Sequence, residues 1–271
     1  MSTSLPSYRP FRQLADSLGR RGIAVLRMDD RGVGASGGKF KGTTDEGFRD
    51  DVRSGLAFLR TRSEIDTTRL GLVGHSEGAL FALLLATGNA GTVPPIHALG
   101  LLEPLPEPYL TLTAQQFDAQ IAAEKSSHSI SASNASKAET LFAGTVAQLR
   151  ATGTVQGYPP YGIGDVLNPT DATFLSQTDR FDPATLAAQL PRRTPVLVSC
   201  SDADSQITCA QVAHLRQGLA EAHADVDYVR QHGVDHVLKV DASGSGNDYA
   251  LALPFSPQLK AALAAFVRRS L

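Results

Sequence analysis

The sequence predicts an α/β fold with a mainly parallel sheet flanked by helices. Short apolar runs of strand length recur along the chain, and amphipathic helical patterns stand between them. This alternation is typical of βαβ units, in which helices cover the faces of a parallel sheet. At 271 residues, the chain is long enough for one large α/β domain, alone or with a small lid.

Five segments have the length and composition of β-strands. They are Gly22–Met28, Arg69–His75, His97–Leu102, Thr194–Cys200 and Asp225–Gln231. The first four have the apolar composition expected of strands that are buried in the centre of a parallel sheet.

Helical patterns surround these strands. Between the first two strands, apolar residues recur at roughly helical spacing at Phe48, Val52, Leu56 and Leu59. Asp45 and Glu46 precede this pattern, near the end of the helix that favours negative charge. The other predicted helices are Tyr8–Arg21, Glu77–Thr87, Ala210–Glu221 and Pro257–Arg269.

A long insertion separates the third predicted strand from the fourth. About ninety residues lie between Leu102 and Thr194, far more than one crossover helix requires. Two polar helices flank the serine-rich segment 126–137, and a Gly/Pro/Tyr-rich segment follows at 156–165. Such insertions often cover the carboxyl ends of the strands, where ligands bind. We therefore expect a core of residues 1–104 and 191–271 with a lid at 105–190; the alternative is a surface excursion without ligand contact.

Composition excludes several classes of partner. The 25 Lys and Arg residues nearly balance the 27 Asp and Glu residues, giving a net charge of −2. No block of like charge occurs, which argues against binding to nucleic acid or to an anionic membrane. The longest apolar run, Ala79–Ala86, is too short to span a bilayer. The opening "MSTSLPSYRPF" shows no signal-peptide pattern, so localisation stays open: cytoplasmic by default, exported if a natural segment precedes Met1.

The segment Gly74–Gly78, "GHSEG", fits the G-x-S-x-G pattern of a nucleophilic serine on a strained strand-to-helix turn. The pattern alone is weak. Here a strand precedes it and a helix follows it, which is the context that the turn requires. Ser76 is therefore the candidate nucleophile, and the alternative is a serine that only caps the following helix.

A serine hydroxyl needs a base to remove its proton, and the base needs a carboxylate to orient it. Asp202 and Asp204 follow the fourth predicted strand, and His232 and His236 follow the fifth. Parallel strands bring both loops to one edge of the sheet. The later residue in each loop is freer to reach inward than one held by a strand's pleat.

The residues resemble a known family. "GIAVLRMDDRGVGASGG", "RLGLVGHSEG", "SDADSQI" and "GVDHVLK" together resemble the serine α/β-hydrolases, in the esterase-like branch related to the serine aminopeptidases. The resemblance implies that Asp204 is the acid and His236 the base, with Asp202 as a competitor for the acid. Asp235 stands where the family has asparagine before the histidine.

The resemblance implies an α/β-hydrolase fold with a helical lid and a serine esterase that forms an acyl-enzyme. Carboxylic esters are the expected small-molecule substrates, and lactones, thioesters or peptide-like amides are alternatives within the same chemistry. The backbone N–H of Glu77 would be one oxyanion donor. No metal-binding or phosphate-binding motif is present, so we expect no metal and no cofactor.

The loop that normally carries the second oxyanion donor in this family is not recognisable, nor is the strand before it. Three explanations compete: a natural N-terminal segment precedes this sequence, a partner chain supplies the strand, or the protein is a non-catalytic relative that binds a small ligand or a partner. We favour the first. Oligomeric state stays open.

Five further residues have alternative interpretations. His75, Tyr158 and Tyr161 are candidates for substrate binding, although the tyrosines could equally pack within their loop. Cys200 and Cys209 are the only cysteines, and they either form a disulfide around the acid loop or remain thiols.

Overall fold

The computed structural model describes residues 8–89, 95–241 and 251–271. The prediction about a signal peptide concerns the start of the chain, and residues 1–7 lie outside the described residues. The described helices are α1 Pro10–Gly19, α2 Asp45–Arg60, α3 Glu77–Ala86, α4 Tyr109–Ser126, α5 Ala132–Thr152, α6 Ile163–Val166, α7 Ala172–Thr178, α8 Pro183–Ala187, α9 Cys209–Glu221 and α10 Pro257–Ser270. The strands are β1 Gly71–His75, β2 Ala98–Leu102, β3 Pro195–Ser201 and β4 Asp225–Gln231.

In the described part of the chain, these four strands form one parallel sheet in the order β1-β2-β3-β4. His75 pairs with Leu102, Leu102 with Ser199, and Ser201 with Gln231. The four strands therefore end along one edge. The residues that follow them are brought together there, as the sequence predicts.

The prediction of a strand at Gly22–Met28 is wrong. The backbone of residues 23–30 has no ladder partner among the described residues, and Val25, Leu26 and Met28 are 40%, 36% and 50% exposed. Apolar composition predicts a buried strand only where a neighbouring strand pairs with its N–H and C=O groups. The described sheet offers no such neighbour to this segment.

The chain divides into two compact units. The first contains residues 1–28, 52–106 and 183–271, and the second contains residues 29–51 and 107–182. In the first unit, α3 is buried from Ala79 to Leu85 and lies beside β1 and β2. This all-round burial explains why its apolar run lacks the polar stripe of a surface helix.

The second unit has a helical core of its own. Helices α4 and α5 pack together, with the rings of Phe117 and Phe142 stacked 4.2 Å apart. Arg31 forms a bidentate ion pair with Asp51, both N···O distances being 2.7 Å. The role of this unit as a lid stays a prediction. Within the described residues, no helix is both long enough and apolar enough to cross a bilayer.

Candidate active site

Ser76 lies on a strained turn between β1 and α3. Its φ of 53° and ψ of −120° are rarely adopted by a residue with a side chain. Its N–H donates to the carbonyl of Leu102, and its own carbonyl accepts from the N–H of Ala79. Its side chain makes no capping hydrogen bond within the described residues. The hydroxyl is thus turned away from the helix-capping role that was the alternative.

The two glycines of the elbow have different roles. A β-carbon at Gly74 would overlap with the carbonyl oxygen of Gly78, so only glycine fits at that position. A β-carbon at Gly78 would meet nothing within 4 Å. The close backbone approach in the turn therefore depends on Gly74 alone.

The structure brings Ser76, His236 and Asp204 together. His236 Nε2 lies 3.1 Å from Ser76 Oγ, and His236 Nδ1 lies 2.8 Å from Asp204 Oδ2. His236 and Asp204 are only 5% and 6% exposed. A neutral imidazole that carries its proton on Nδ1 donates to Asp204 and accepts the hydroxyl proton of Ser76 at Nε2. This is the geometry of a serine activated by a general base.

Local hydrogen bonds fix the Asp204 carboxylate. Its Oδ1 accepts the backbone N–H groups of Gln206, at 2.8 Å, and of Ile207, at 2.9 Å. Its Oδ2 is thereby left to face His236. A disulfide joins Cys200, at the end of β3, to Cys209, at the start of α9, with their α-carbons 5.2 Å apart. The acid therefore sits in a loop that is closed at both ends.

Asp202 and His232, the alternatives for the acid and the base, form a pair of their own. His232 Nδ1 lies 2.7 Å from Asp202 Oδ2, and Asp202 Oδ1 accepts the N–H of Gly233. That N–H and the His232 ring lower the pKa of Asp202. His232 is exposed, so this pair links two loops at the surface.

His75 is packed against His236. The ring centroids are 5.0 Å apart, and His75 Nε2 lies 2.7 Å from the main-chain oxygen of His236. Phe11 lies on the other side, at a ring distance of 6.2 Å. Burial, followed by the charge of His236, lowers the pKa of His75 to about 4. His75 is neutral at physiological pH, and its Nε2–H donates to the His236 carbonyl.

Sequence reasoning missed Glu103, which directly follows β2. Its side chain is fully buried, and its φ of 43° lies in the left-handed region. The only signal in the sequence was an acid at the carboxyl end of an apolar strand. Its buried setting depends on contacts from β3 and β4, which spacing does not reveal.

The remaining predicted residues lie as follows. Glu77 is the first residue of α3, directly after Ser76. Tyr158 is 69% exposed, with its hydroxyl 3.2 Å from Thr170 Oγ1, and Tyr161 has a φ of 62°. Both tyrosines belong to the second unit, and their contact with substrate stays a prediction.

Three solved structures share the architecture of this chain. An esterase from Pyrococcus furiosus matches with a TM-score of 0.61 and 16% identity, over 97% of this chain and 76% of that one. Est1E from Butyrivibrio proteoclasticus, solved with ferulic acid bound, has a TM-score of 0.59 and 18% identity, over 99% and 85%. The esterase domain of a Rhodothermus marinus protein has a TM-score of 0.52 and 20% identity, over 96% and 80%.

This chain has the α/β-hydrolase fold. The resemblance seen in the sequence is confirmed: the model of the serine aminopeptidase S33 family matches residues 7–137, which include the elbow around Ser76. No curated protein matches the chain significantly. The family match and the structural neighbours together support a hydrolase. Asp204 and His236 lie beyond the family match, so their assignment depends on the geometry above.

Proposed function

We propose that this α/β-hydrolase is a serine esterase that cleaves carboxylic esters through Ser76, His236 and Asp204. The observation that carries the proposal is the unbroken line of hydrogen bonds from Ser76 Oγ to His236 and on to Asp204. The esterases among its structural neighbours favour an ester over other acyl compounds.

The first half of the reaction forms an acyl-enzyme. Ser76 Oγ attacks the acyl carbon while His236 Nε2 takes the hydroxyl proton, and the resulting tetrahedral oxyanion accepts the backbone N–H of Glu77. Asp204 stabilises the imidazolium and holds its ring in place. Collapse of the intermediate breaks the bond to the leaving alcohol, which receives the proton from His236.

The second half returns the enzyme to its starting state. Water attacks the acyl carbon and gives one proton to His236 Nε2, and the released acid leaves as Ser76 recovers its proton. Every proton passes through one nitrogen, so no cofactor is needed. Lactones, thioesters and small amides would use the same steps.

The alternative is a protein that binds a small ligand or a partner without turning it over. It is favoured by the segment 23–30, which lacks the strand pairing that its sequence predicts, and by a single assigned oxyanion donor. A site with one donor stabilises the tetrahedral intermediate less than a site with two.

Hydrolysis of p-nitrophenyl esters with two to eight acyl carbons tests the proposal. We expect turnover by the wild-type protein and a fall of at least about a thousandfold in Ser76→Ala. Ser63→Ala, which changes an exposed serine of the same unit, is the matched control. Equal rates in wild type and Ser76→Ala would overturn the proposal. Absence of turnover across the ester, lactone and thioester panels would favour the alternative.

A further inference from the structure

Glu103 directly follows β2, the strand that lies between β1 and β3. Its neighbour Leu102 accepts the backbone N–H of Ser76. The side chain of Glu103 contacts Ser199 of β3 and Gln231 of β4. The end of β2 thus contacts the Ser76 turn through Leu102, and the strands that lead to the loops of Asp204 and His236 through Glu103.

Neutral groups surround most of the Glu103 carboxyl. Its Oε1 accepts Gln231 Nε2 at 2.6 Å and Ser199 Oγ at 3.3 Å. Gln231 is itself held by Ser256 Oγ, at 2.6 Å from its Oε1, and Ser256 caps the start of α10. Elements β3, β4 and α10 therefore each present an uncharged polar group at this end of the sheet.

The second oxygen of Glu103 is in a different situation. Oε2 is buried and has no hydrogen-bond partner among the described residues. An ionised carboxylate in this position would leave charge on a buried oxygen without a donor, which is strongly unfavourable. The charged group that acts on Glu103 is Asp204, which is bonded to His236 Nδ1.

We propose that Glu103 is a positioning residue that stays protonated in the working enzyme and so adds no second negative charge beside Asp204, the carboxylate bonded to His236. This inference rests on the proposed function. A neutral Glu103 keeps its place in the Ser199–Gln231 network without repelling Asp204. An ionised Glu103 would repel Asp204 and pull donors toward itself, which would disturb the bond between Asp204 and His236.

The electrostatic setting agrees with this arrangement. Burial first, and the charge of Asp204 second, raise the pKa of Glu103 to about 8, against the weaker opposing effect of its hydrogen bonds. The acid would therefore begin to ionise just above neutral pH. Activity should fall there because a charged Glu103 repels Asp204.

The pH profile of Glu103→Gln tests the inference, because glutamine has nearly the shape of a protonated glutamic acid and cannot ionise. We expect the ratio of kcat at pH 9 to kcat at pH 7, on p-nitrophenyl acetate, to be at least about fivefold higher in Glu103→Gln than in wild type. Glu221→Gln, at an exposed position at the end of α9, should retain the wild-type ratio. A purely structural role would change stability without changing this ratio.

Two results would overturn the inference. Equal ratios in wild type and Glu103→Gln would show that the charge on Glu103 has no effect on turnover in this range. Complete loss of turnover at pH 7 in a folded Glu103→Gln would show that the enzyme needs the ionised form.

A measurement without turnover separates this inference from the proposed function. In Ser76→Ala protein labelled with ¹³C-glutamate, one carboxyl signal should titrate near pH 8 and should be absent in the Ser76→Ala, Glu103→Gln double variant. A midpoint below about 6 would overturn the inference, whatever the substrate proves to be. If this signal titrates as expected while Ser76→Ala retains full hydrolysis, the proposed function fails and the buried neutral acid remains.

Discussion

The Nε2 atom of His75 lies 2.7 Å from the main-chain oxygen of His236. The residue that precedes the nucleophile along the chain therefore holds the backbone of the residue that would accept the nucleophile's proton. This bond crosses from β1 to the loop after β4. It holds the main chain of His236, while Asp204 holds the ring of His236 at Nδ1.

Replacing His75 with phenylalanine should lower kcat while leaving the fold intact. Phenylalanine retains a ring beside His236 but has no N–H for its carbonyl, so His236 would lose one of its two fixed contacts. We expect a fall in kcat of about tenfold, corresponding to one hydrogen bond of roughly 1–1.5 kcal/mol. Phe11→Leu, which changes only the outer ring neighbour of His75, should have a smaller effect. A His75→Phe enzyme with wild-type kcat would contradict the assigned role.

The pKa of His75 also predicts how stability depends on pH. Because the folded-state pKa is lowered to about 4 from an ordinary value of 6.5, the unfolded chain takes up the proton first as pH falls. The stability contributed by neutral His75 is present above pH 6.5 and is lost between 6.5 and 4. Denaturant melts across this range should show a smaller loss of unfolding free energy in His75→Phe than in wild type. Parallel curves for the two proteins would argue against a neutral imidazole at this position.

Asparagine at position 204 should be far more damaging than asparagine at position 202. Asp204 is buried and bonded to His236, and its amide analogue would favour the wrong imidazole tautomer. We expect kcat to fall by about 10³–10⁴ in Asp204→Asn and by less than about fivefold in Asp202→Asn. The reverse order of effects would assign the acid to Asp202.

Reduction of the disulfide should destabilise the protein and loosen the acid loop. Only eight residues separate Cys200 from Cys209, so the loop-closure contribution is about 2–3 kcal/mol. Melting with and without a phosphine reductant measures it, and kcat should fall in the same samples. The double variant Cys200→Ala, Cys209→Ala serves as the control that cannot respond. Identical wild-type melts in both buffers would contradict a disulfide in solution.

The two elbow glycines should tolerate alanine unequally. Gly74→Ala places a methyl group against the carbonyl of Gly78. We therefore expect the protein to lose at least about 2 kcal/mol of stability and most of its activity. Gly78→Ala has open space within a helix and should be neutral or stabilising by up to about 1 kcal/mol. Thermal melts of the two variants measure the difference. Similar losses in both would show that the turn needs glycine at each position.

Local sequence was enough to predict the elements that carry the site. Strands β1 to β4 and helix α3 lie within about two residues of their predicted bounds, because apolar strands alternate clearly with helices there. The prediction of a strand at Gly22–Met28 was wrong because a strand forms only beside a pairing neighbour. The composition of a segment gives no information about such a neighbour.

The site was only partly accessible from sequence. The sequence marked Ser76 by its turn and favoured Asp204 over Asp202 through the resemblance, whereas burial and hydrogen bonding are what set Asp204 against His236 in the structure. The contacts of His75 and Glu103 could not be predicted from the sequence. Both depend on contacts with residues more than ninety positions away, which no local pattern encodes.

Labelling with a fluorophosphonate probe tests the central claim most directly, since such probes react with a serine only when a base activates it. Intact-mass and peptide analysis should find one adduct per chain, located on Ser76, absent in Ser76→Ala and slowed by at least about a hundredfold in His236→Ala. An adduct on another residue, or labelling that is unchanged in His236→Ala, would contradict the proposed relay.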